Sequence, residues 1–249
     1  MGRSDGAIAM DELVYLYKLA SLGLQYPDET GWASIENILS EREALFEGEM
    51  LLLVNNFNNE FRGAAIEDIQ SDYLSFFDLG GQISPYETEY LTEKISRKPF
   101  ELSDIAGFYS AFGLSINQSS NNREIVDHIS VELEFMALLT WKERYAVETK
   151  SKEHEEIVLD AKRKFLKDHL ARWGFFYCRQ MESLEGAFHK SLGRIVEALL
   201  TSECERHGLD KTLYNKDLTR EALSGVRCDT LTCGALPELH ITEREDYAR

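Results

Sequence analysis

The positions of the prolines restrict the fold of this chain more than any other sequence feature. The 249 residues include four prolines, and all of them lie outside residues 100–236, a span of 137 residues. Proline removes a backbone donor and clashes with the preceding helical turn, so it is the strongest breaker of α-helices. A span of this length without proline favours long helices.

The apolar periodicity leads to the same conclusion. Apolar residues recur at the i, i+3, i+4 and i+7 spacing of a helical face, without the alternating pattern and hairpin turns of strands. The predicted helices lie at about 11–24, 32–39, 51–61, 66–77, 157–170, 173–188 and 192–199. The expected fold is all-α: one helical-bundle domain of about ten to twelve helices over residues 10–205. Residues 1–9 are expected to form a flexible leader and residues 206–249 a tail with a short helix.

Residues 103–141 carry most of the functional signal. Ser103 is placed as an N-cap and Gly113 as a C-terminal stop, which predicts one helix of about ten residues. Gly107 lies inside that helix at a cost in stability, so we expect another backbone to approach it closely. A polar loop at 115–122 then leads to a second helix that begins near Arg123.

Apolar residues fall almost all round the second helix, which predicts burial on several sides. His128 and Glu132 are four residues apart on one apolar face and are expected to pair. Asp127 and Glu134 share a separate polar stripe with Ser130. The His128 and Glu132 pair is either a satisfied polar pair in the core or part of a site with perturbed pKa values, and the spacing leaves both open.

A helix start is predicted at residues 84–91, SPYETEYL. Ser84 stands at the N-cap, Pro85 at the first helical position and Glu87 three residues after the cap, which is a capping box. Tyr86 and Tyr90 are four residues apart, so we expect a buried aromatic pair on one side of this helix.

The chain is strongly acidic, and the acidity lies in its N-terminal half. The formal net charge is −17, from 27 Lys and Arg against 44 Asp and Glu. Residues 1–122 contain 7 basic and 20 acidic residues, a net charge of −13. Such a surface repels nucleic acid and anionic lipid and attracts a basic peptide, but charge alone favours a soluble acidic surface without a partner.

Cysteine usage and hydropathy suggest a cytoplasmic protein. Four cysteines in a chain of this length, with no signal-peptide pattern, predict reduced thiols, and no apolar run reaches the length of a membrane span. Cys228 and Cys233, with His207 and His240 in the same tail, make a zinc site conceivable, but the pattern is weak. No metal or cofactor is expected.

The sequence motifs of several enzyme classes are absent. The chain has no glycine-rich phosphate loop, nucleophile elbow or His-Glu-x-x-His motif, and no histidine has Glu three residues before it, as a di-iron bundle requires. This pattern favours a binding protein over an enzyme.

Four segments in order resemble the TorD/DmsD/NarJ family of redox-enzyme maturation chaperones. They are DYLSFF at 72–77, SPYETEYL at 84–91, DIAGFYSAFGLS at 104–115 and VDHISVELEFM at 126–136, and the resemblance covers roughly residues 10–200. It implies an all-helical, TorD-like cytoplasmic chaperone that is not an enzyme. Such a chaperone binds the N-terminal leader, of the twin-arginine type, of a molybdopterin oxidoreductase catalytic subunit and holds it for cofactor insertion before export or assembly. It also implies a monomer or a helix-swapped dimer.

The family motifs can be carried over position by position, with Val126 and Phe76 standing where the family usually has Pro and Leu. They place a leader-binding groove at Tyr73, Phe76, Phe77, Pro85, Tyr86, Glu87, Asp127, His128, Glu132 and Glu134. Carboxylates beside aromatic residues suit a leader that carries arginines next to an apolar helical stretch. Two alternatives remain: a helical interaction module without a metalloenzyme client, and a helical enzyme that uses Asp127 and His128.

Overall fold

A computed structural model describes residues 8–41, 45–78, 81–90, 94–114 and 125–211, with only the backbone for residues 94–96. The predicted loop at 115–122, the pair Cys228 and Cys233 and the tail beyond residue 211 lie outside these ranges, as does most of the predicted leader. Across the described residues, no helix combines the length and the apolar character that crossing a bilayer requires.

The described chain is built from α-helices. They are α1 (Met10–Gly23), α2 (Glu29–Glu41), α3 (Gly48–Gly63), α4 (Ile66–Phe77), α5 (Lys94–Ala111), α6 (Ile129–Glu148), α7 (Lys152–Phe165), α8 (Ala171–Met181) and α9 (Ala187–Arg206). A 3₁₀-helix spans Glu87–Tyr90, and one π-helical turn, Leu166–Leu170, joins α7 to α8 without a break. The described ranges therefore contain eight continuous α-helical segments and no strand, which confirms the all-α prediction but not the count of ten to twelve.

The helices α1, α6 and α9 lie at the centre of the packing. α6 packs against α1 and α7, whereas α9 packs against α1, α3 and α8. α1 and α6 run antiparallel, since Asp11 pairs with Arg144 near the end of α6 and Lys18 pairs with Glu134 nearer its start. The predicted burial of α6 on several sides is confirmed, because Leu133 on one side of it and Phe135 and Leu139 on the opposite side are all 0% exposed.

The predicted bounds of the helix at 103–113 are wrong at one end. α5 begins at Lys94 and continues through Pro99, so Ser103 lies inside the helix and is not its N-cap. Pro99 is the sixth residue of α5, close enough to the helix start that few backbone hydrogen bonds are lost. Gly113 is the predicted stop, with φ at +84°. The expected close approach at Gly107 is wrong, because no atom of a neighbouring described element lies within 4 Å of the position that a Cβ would take there.

The predicted helix over 173–188 is two helices. α8 ends at Met181, and α9 begins at Ala187 after Gly186. A Cβ on Gly186 would lie 2.9 Å from Cε2 of Phe76, so this turn packs directly on α4. The glycine allows the close approach that separates the two helices.

A buried ion cluster joins α6, α7 and α9. Nζ of Lys162, which is 0% exposed, lies 3.0 Å from Glu143 on α6 and 2.8 Å from Glu203 on α9. Arg206 also pairs with both carboxylates. Burial alone would raise the pKa of Glu203, but Lys162 and Arg206 more than offset this and hold the pKa below its ordinary value. No sequence pattern indicated this cluster, because its members lie on three separate helices.

Replacing Lys162 with Met should destabilise the protein strongly. Two buried carboxylates would lose their central partner, and breaking a buried ion pair typically costs about 3–5 kcal/mol. Urea denaturation of Lys162→Met should show this loss. Lys164→Met is the matched control, because Lys164 pairs with Asp160 at the surface, with both side chains 57% exposed. That change should cost less than about 1 kcal/mol, and equal losses in the two variants would contradict the assigned role of Lys162.

Candidate functional site

Two chain segments that carry the family motifs meet at the start of α6. The backbone N–H of Glu87 donates to the carbonyl of Asp127 at 2.9 Å, and the N–H of Ile129 donates to the carbonyl of Pro85 at 2.9 Å. Tyr86 and His128 form an isolated antiparallel bridge. These contacts explain why α6 begins at Ile129 and not near Arg123, since the turn before it pairs with residues 84–90.

The carboxylate of Asp127 caps the 3₁₀-helix from another part of the chain. Its Oδ2 accepts hydrogen bonds from the backbone N–H of Thr88 at 3.1 Å and from Oγ1 of Thr88 at 2.6 Å, and the residue is 1% exposed. The predicted capping box at Ser84 is wrong in the described residues, where the helix after Tyr86 is a four-residue 3₁₀-helix. Asp127 supplies the acceptor that a local cap would otherwise provide.

His128 is the N-cap of α6 and is completely buried. Its Nδ1 accepts from the backbone N–H of Ser130 at 3.2 Å and lies 2.7 Å from Oγ of the same residue. Its Nε2 lies 3.3 Å from the hydroxyl of Tyr73. Burial lowers the pKa of His128 to about 3, so the ring is neutral at pH 7. Because Nδ1 accepts, Nε2 carries the proton and donates to Tyr73.

Glu132 makes its described contacts away from His128, against the expected pairing. Its Oε2 accepts from Nε1 of Trp173 at 3.3 Å, and the side chain is 0% exposed. Burial raises the pKa of Glu132 well above its ordinary value, and the nearby charges of Glu87 and Asp127 raise it further. Burial and the two neighbouring carboxylates therefore favour the neutral form of Glu132, which limits the charge that the cluster must accommodate.

Glu87 lies in a network with residues that the sequence analysis missed. Arg172 on α8 pairs with Oε1 of Glu87 and lies 3.0 Å from Oε2 of Glu101, and Nδ1 of His169 lies 3.2 Å from Oε2 of Glu87. Nε2 of His169 lies 3.2 Å from Oδ2 of Asp104, without hydrogen-bond geometry. Burial lowers the pKa of His169, but the hydrogen bond and charge of Glu87 outweigh this, and the net shift is upward. No local pattern relates these residues, which lie on four separate elements.

The predicted aromatic residues pack beside this network. Tyr73, Phe76 and Phe77 on α4 are 8%, 5% and 6% exposed. The ring of Tyr73 contacts Tyr26 edge-on at 5.6 Å, and Phe76 and Phe77 both contact the ring of His189 on α9. The expected pairing of Tyr86 with Tyr90 is replaced by other ring contacts, with His128 and with Trp173 respectively.

Most of the ten predicted site residues are brought together, but in the interior. Eight are buried: Tyr73, Phe76, Phe77, Pro85, Glu87, Asp127, His128 and Glu132. Tyr86 is half-buried at the edge of the cluster. The side chain of Glu134 is 47% exposed and pairs with Lys18 at 2.7 Å, so the predicted polar stripe of Asp127 and Glu134 is divided between the interior and the surface. Of the ten residues, only Tyr86 and Glu134 can reach a partner without rearrangement of the protein.

A metal ion fits this network poorly. Glu87, Glu101 and His169 each place one potential ligand atom within 4.8 Å of the other two. Arg172, however, pairs with both carboxylates, and the raised pKa of His169 favours its protonated form, which cannot bind a metal. The guanidinium group of Arg172 already supplies positive charge to both carboxylates.

Comparison with known proteins gives consistent matches. A protein-family model described as nitrate reductase delta subunit matches residues 29–178. The selenate reductase assembly chaperone protein of Thauera selenatis is 33% identical over 138 residues, which cover 53% of this chain and 68% of that protein. The chlorate reductase assembly chaperone protein of Ideonella dechloratans is 31% identical over 137 residues, with the same coverage of 53% and 68%. The crystal structure of a putative redox enzyme maturation protein from Archaeoglobus fulgidus has a TM-score of 0.49 at 22% identity, covering 76% of this chain and 93% of that one.

Replacing His189 with Leu should make the protein less sensitive to acid. Both ring nitrogens of His189 are buried without a hydrogen-bond partner among the described residues, and burial lowers its pKa to about 4. The unfolded chain takes up a proton near pH 6.5 and the folded protein does not, so stability falls as the pH drops from 7 to 5, by about 2 kcal/mol for this one group. Urea denaturation at both pH values should show that the free energy of unfolding falls less for His189→Leu than for the wild type. An equal fall would contradict the buried neutral state of His189.

Proposed function

Because this chain belongs to the nitrate reductase delta subunit family, we propose that it is a cytoplasmic assembly chaperone for the catalytic subunit of a molybdopterin oxyanion reductase. The observation that carries the proposal is the family match over residues 29–178, which includes every one of the ten predicted site residues. Relatives with about a third of their aligned residues identical are named as assembly chaperones of selenate and chlorate reductases. Both of those clients reduce an oxyanion, so an oxyanion reductase is the client class that we infer.

The chaperone binds the N-terminal leader of its client, of the twin-arginine type, and holds the subunit until its cofactor is inserted. We place the docking surface on the accessible residues that surround the buried cluster. Tyr86 and Glu134 are accessible. Leu74 of the segment 72–77 is 48% exposed, and Tyr26, whose ring contacts that of Tyr73, is 39% exposed. The buried residues hold these accessible side chains in place and need not touch the leader.

The charge of this surface suits a basic leader. Residues 66–78 contain four acidic residues and no Lys or Arg, and residues 81–90 contain two more acidic residues and no basic one. Exposed Glu67, Asp68 and Asp78 therefore present negative charge beside the apolar side chain of Leu74. Electrostatic attraction of this kind increases the association rate and weakens as salt increases.

The two alternative functions are supported less well. A catalytic role for Asp127 and His128 requires them to meet a substrate, but they are 1% and 0% exposed and both ring nitrogens of His128 are engaged. A general interaction module without a metalloenzyme client does not account for the family match. Capture of the tagged chain from its own cells tests this directly: recovery of a reductase catalytic subunit with an uncleaved leader supports the proposal, and recovery of unrelated proteins contradicts it.

Reversing the charge of Glu134 should weaken leader binding. In Glu134→Lys the new cation lies beside Lys18 and repels arginines of the leader, and loss of one charge-assisted contact corresponds to about a tenfold weaker Kd. Isothermal titration with a synthetic leader peptide of the cognate subunit measures the change.

Glu60→Lys is the matched control, since Glu60 is exposed on α3 and the net-charge change is identical. We expect its Kd to stay within about twofold of the wild type at moderate salt. Equal weakening in both variants would mean that only net charge matters, and no weakening in Glu134→Lys would show that the docking surface lies elsewhere.

A further inference from the structure

The guanidinium group of Arg172 lies among side chains of the 3₁₀-helix, of α5 and of the π-helical turn that directly precedes α8. It pairs with Glu87 of the 3₁₀-helix and with both carboxylate oxygens of Glu101 on α5, at 3.4 Å and 3.0 Å. His169 of the π-helical turn contacts Glu87 from another side. We call Glu87, Glu101 and His169 the guanidinium cage. Planar carboxylates on two sides suit the donor fork of arginine better than the ammonium group of lysine.

The cage is buried on its inner side and open on its outer side. The side chains of Glu87 and His169 are each 1% exposed, and that of Glu101 is 9% exposed. The side chain of Arg172 is 32% exposed, and Arg97, which pairs with Glu101, is 54% exposed. Arg172 therefore has a route into water that does not require the helices to separate.

One carboxylate near the cage has an acceptor atom that the described residues do not use. Oδ1 of Asp127 is buried without a hydrogen-bond donor from the described part of the chain, and the residue is 1% exposed. Glu87 and Glu101 share Arg172, His169 also pairs with Glu87, and Asp127 and Glu132 are two further buried acids nearby. The cluster is thus rich in acceptors, and a guanidinium group offers five N–H donors.

We propose that the cage of Glu87, Glu101 and His169 is a guanidinium-binding site, which Arg172 fills in the free chaperone and an arginine of the client segment fills in the complex. The proposal rests on the proposed function to the extent that the client supplies the arginine. Arg172 acts as an internal stand-in for the ligand, which keeps two buried carboxylates paired when no client is present.

The exchange conserves the main interactions. An incoming guanidinium makes the contacts that Arg172 gives up, so no buried carboxylate is left unpaired, which would be the costly state. Arg172 moves from one-third exposure into water, where its charge is well solvated. A ligand shifts such an equilibrium only if it has different affinities for the two states. The client's arginine cannot bind the state in which Arg172 fills the cage. Arg172 therefore lowers the apparent affinity for the client.

The cage can be tested without the client. In Arg172→Gln the site is vacated, and millimolar N-methylguanidinium should raise the Tm of this variant in a saturable way, whereas methylammonium should not. The wild type should not respond, because its own arginine fills the cage. Arg194→Gln is the matched control, since Arg194 makes a two-point pair with Glu182 at the surface, where its side chain is 52% exposed. N-methylguanidinium should not raise the Tm of Arg194→Gln. If it also fails to raise the Tm of Arg172→Gln, the proposal is overturned.

A milder variant tests the exchange itself and separates it from the proposed function. Arg172→Lys keeps the positive charge but loses the two-point pairing, so a client leader peptide should bind this variant at least about threefold more tightly than it binds the wild type. Equal affinities would overturn the exchange and leave the chaperone function intact. A cage that binds N-methylguanidinium, in a protein whose wild type binds no leader, would instead support the site and contradict the proposed function.

Discussion

The docking of residues 84–90 onto the start of α6 is the interaction on which the rest of the site depends. This segment forms only four residues of 3₁₀-helix, so most of its backbone groups need partners elsewhere. Asp127, through its carbonyl and its carboxylate, accepts three hydrogen bonds from Glu87 and Thr88. In return the segment places Glu87 beside Arg172 and Tyr86 against His128. Asp127 thus has mainly a structural role, and its buried hydrogen bonds hold in place a segment that has little secondary structure of its own.

Buried charge is balanced in two different ways in this protein. In the cluster of α6, α7 and α9, Lys162 and Arg206 match the charges of Glu143 and Glu203. Near the cage the acidic side chains outnumber the cationic ones among the described residues, and burial favours the neutral form of Glu132. The first arrangement is complete and fits a purely structural role. The second has an unused acceptor on Asp127 and an outward opening, which is why it is the better place to look for recognition of a partner.

The sequence was sufficient for the helices whose burial comes from regular spacing. The bounds of α1 and the core faces of α3 and α4 agree with the periodicity, because apolar burial dominates there. Prediction from the sequence failed where residues that are far apart along the chain determine the local structure. Ser103 predicted an N-cap inside a helix that begins at Lys94, and Ser84 predicted a local cap where Asp127 caps from about 40 residues away. The motifs identified residues that do lie together, but spacing along the chain carries no information about depth, so it could not show that eight of them are buried.

The π-helical turn at Leu166–Leu170 determines the direction in which the side chains of α8 point relative to those of α7 on the same continuous helix. One such turn holds an extra residue compared with an α-helical turn, so it rotates α8 by about a quarter-turn relative to a straight continuation of α7. Lys162 before the turn and Arg172 after it consequently serve two separate ion networks from one continuous helix. A single-residue deletion in this turn would leave the hydrophobic composition almost unchanged while turning Arg172 and Trp173 away from their partners. The length of the turn, more than its residue identities, is therefore the quantity that a related chain must preserve to keep both networks.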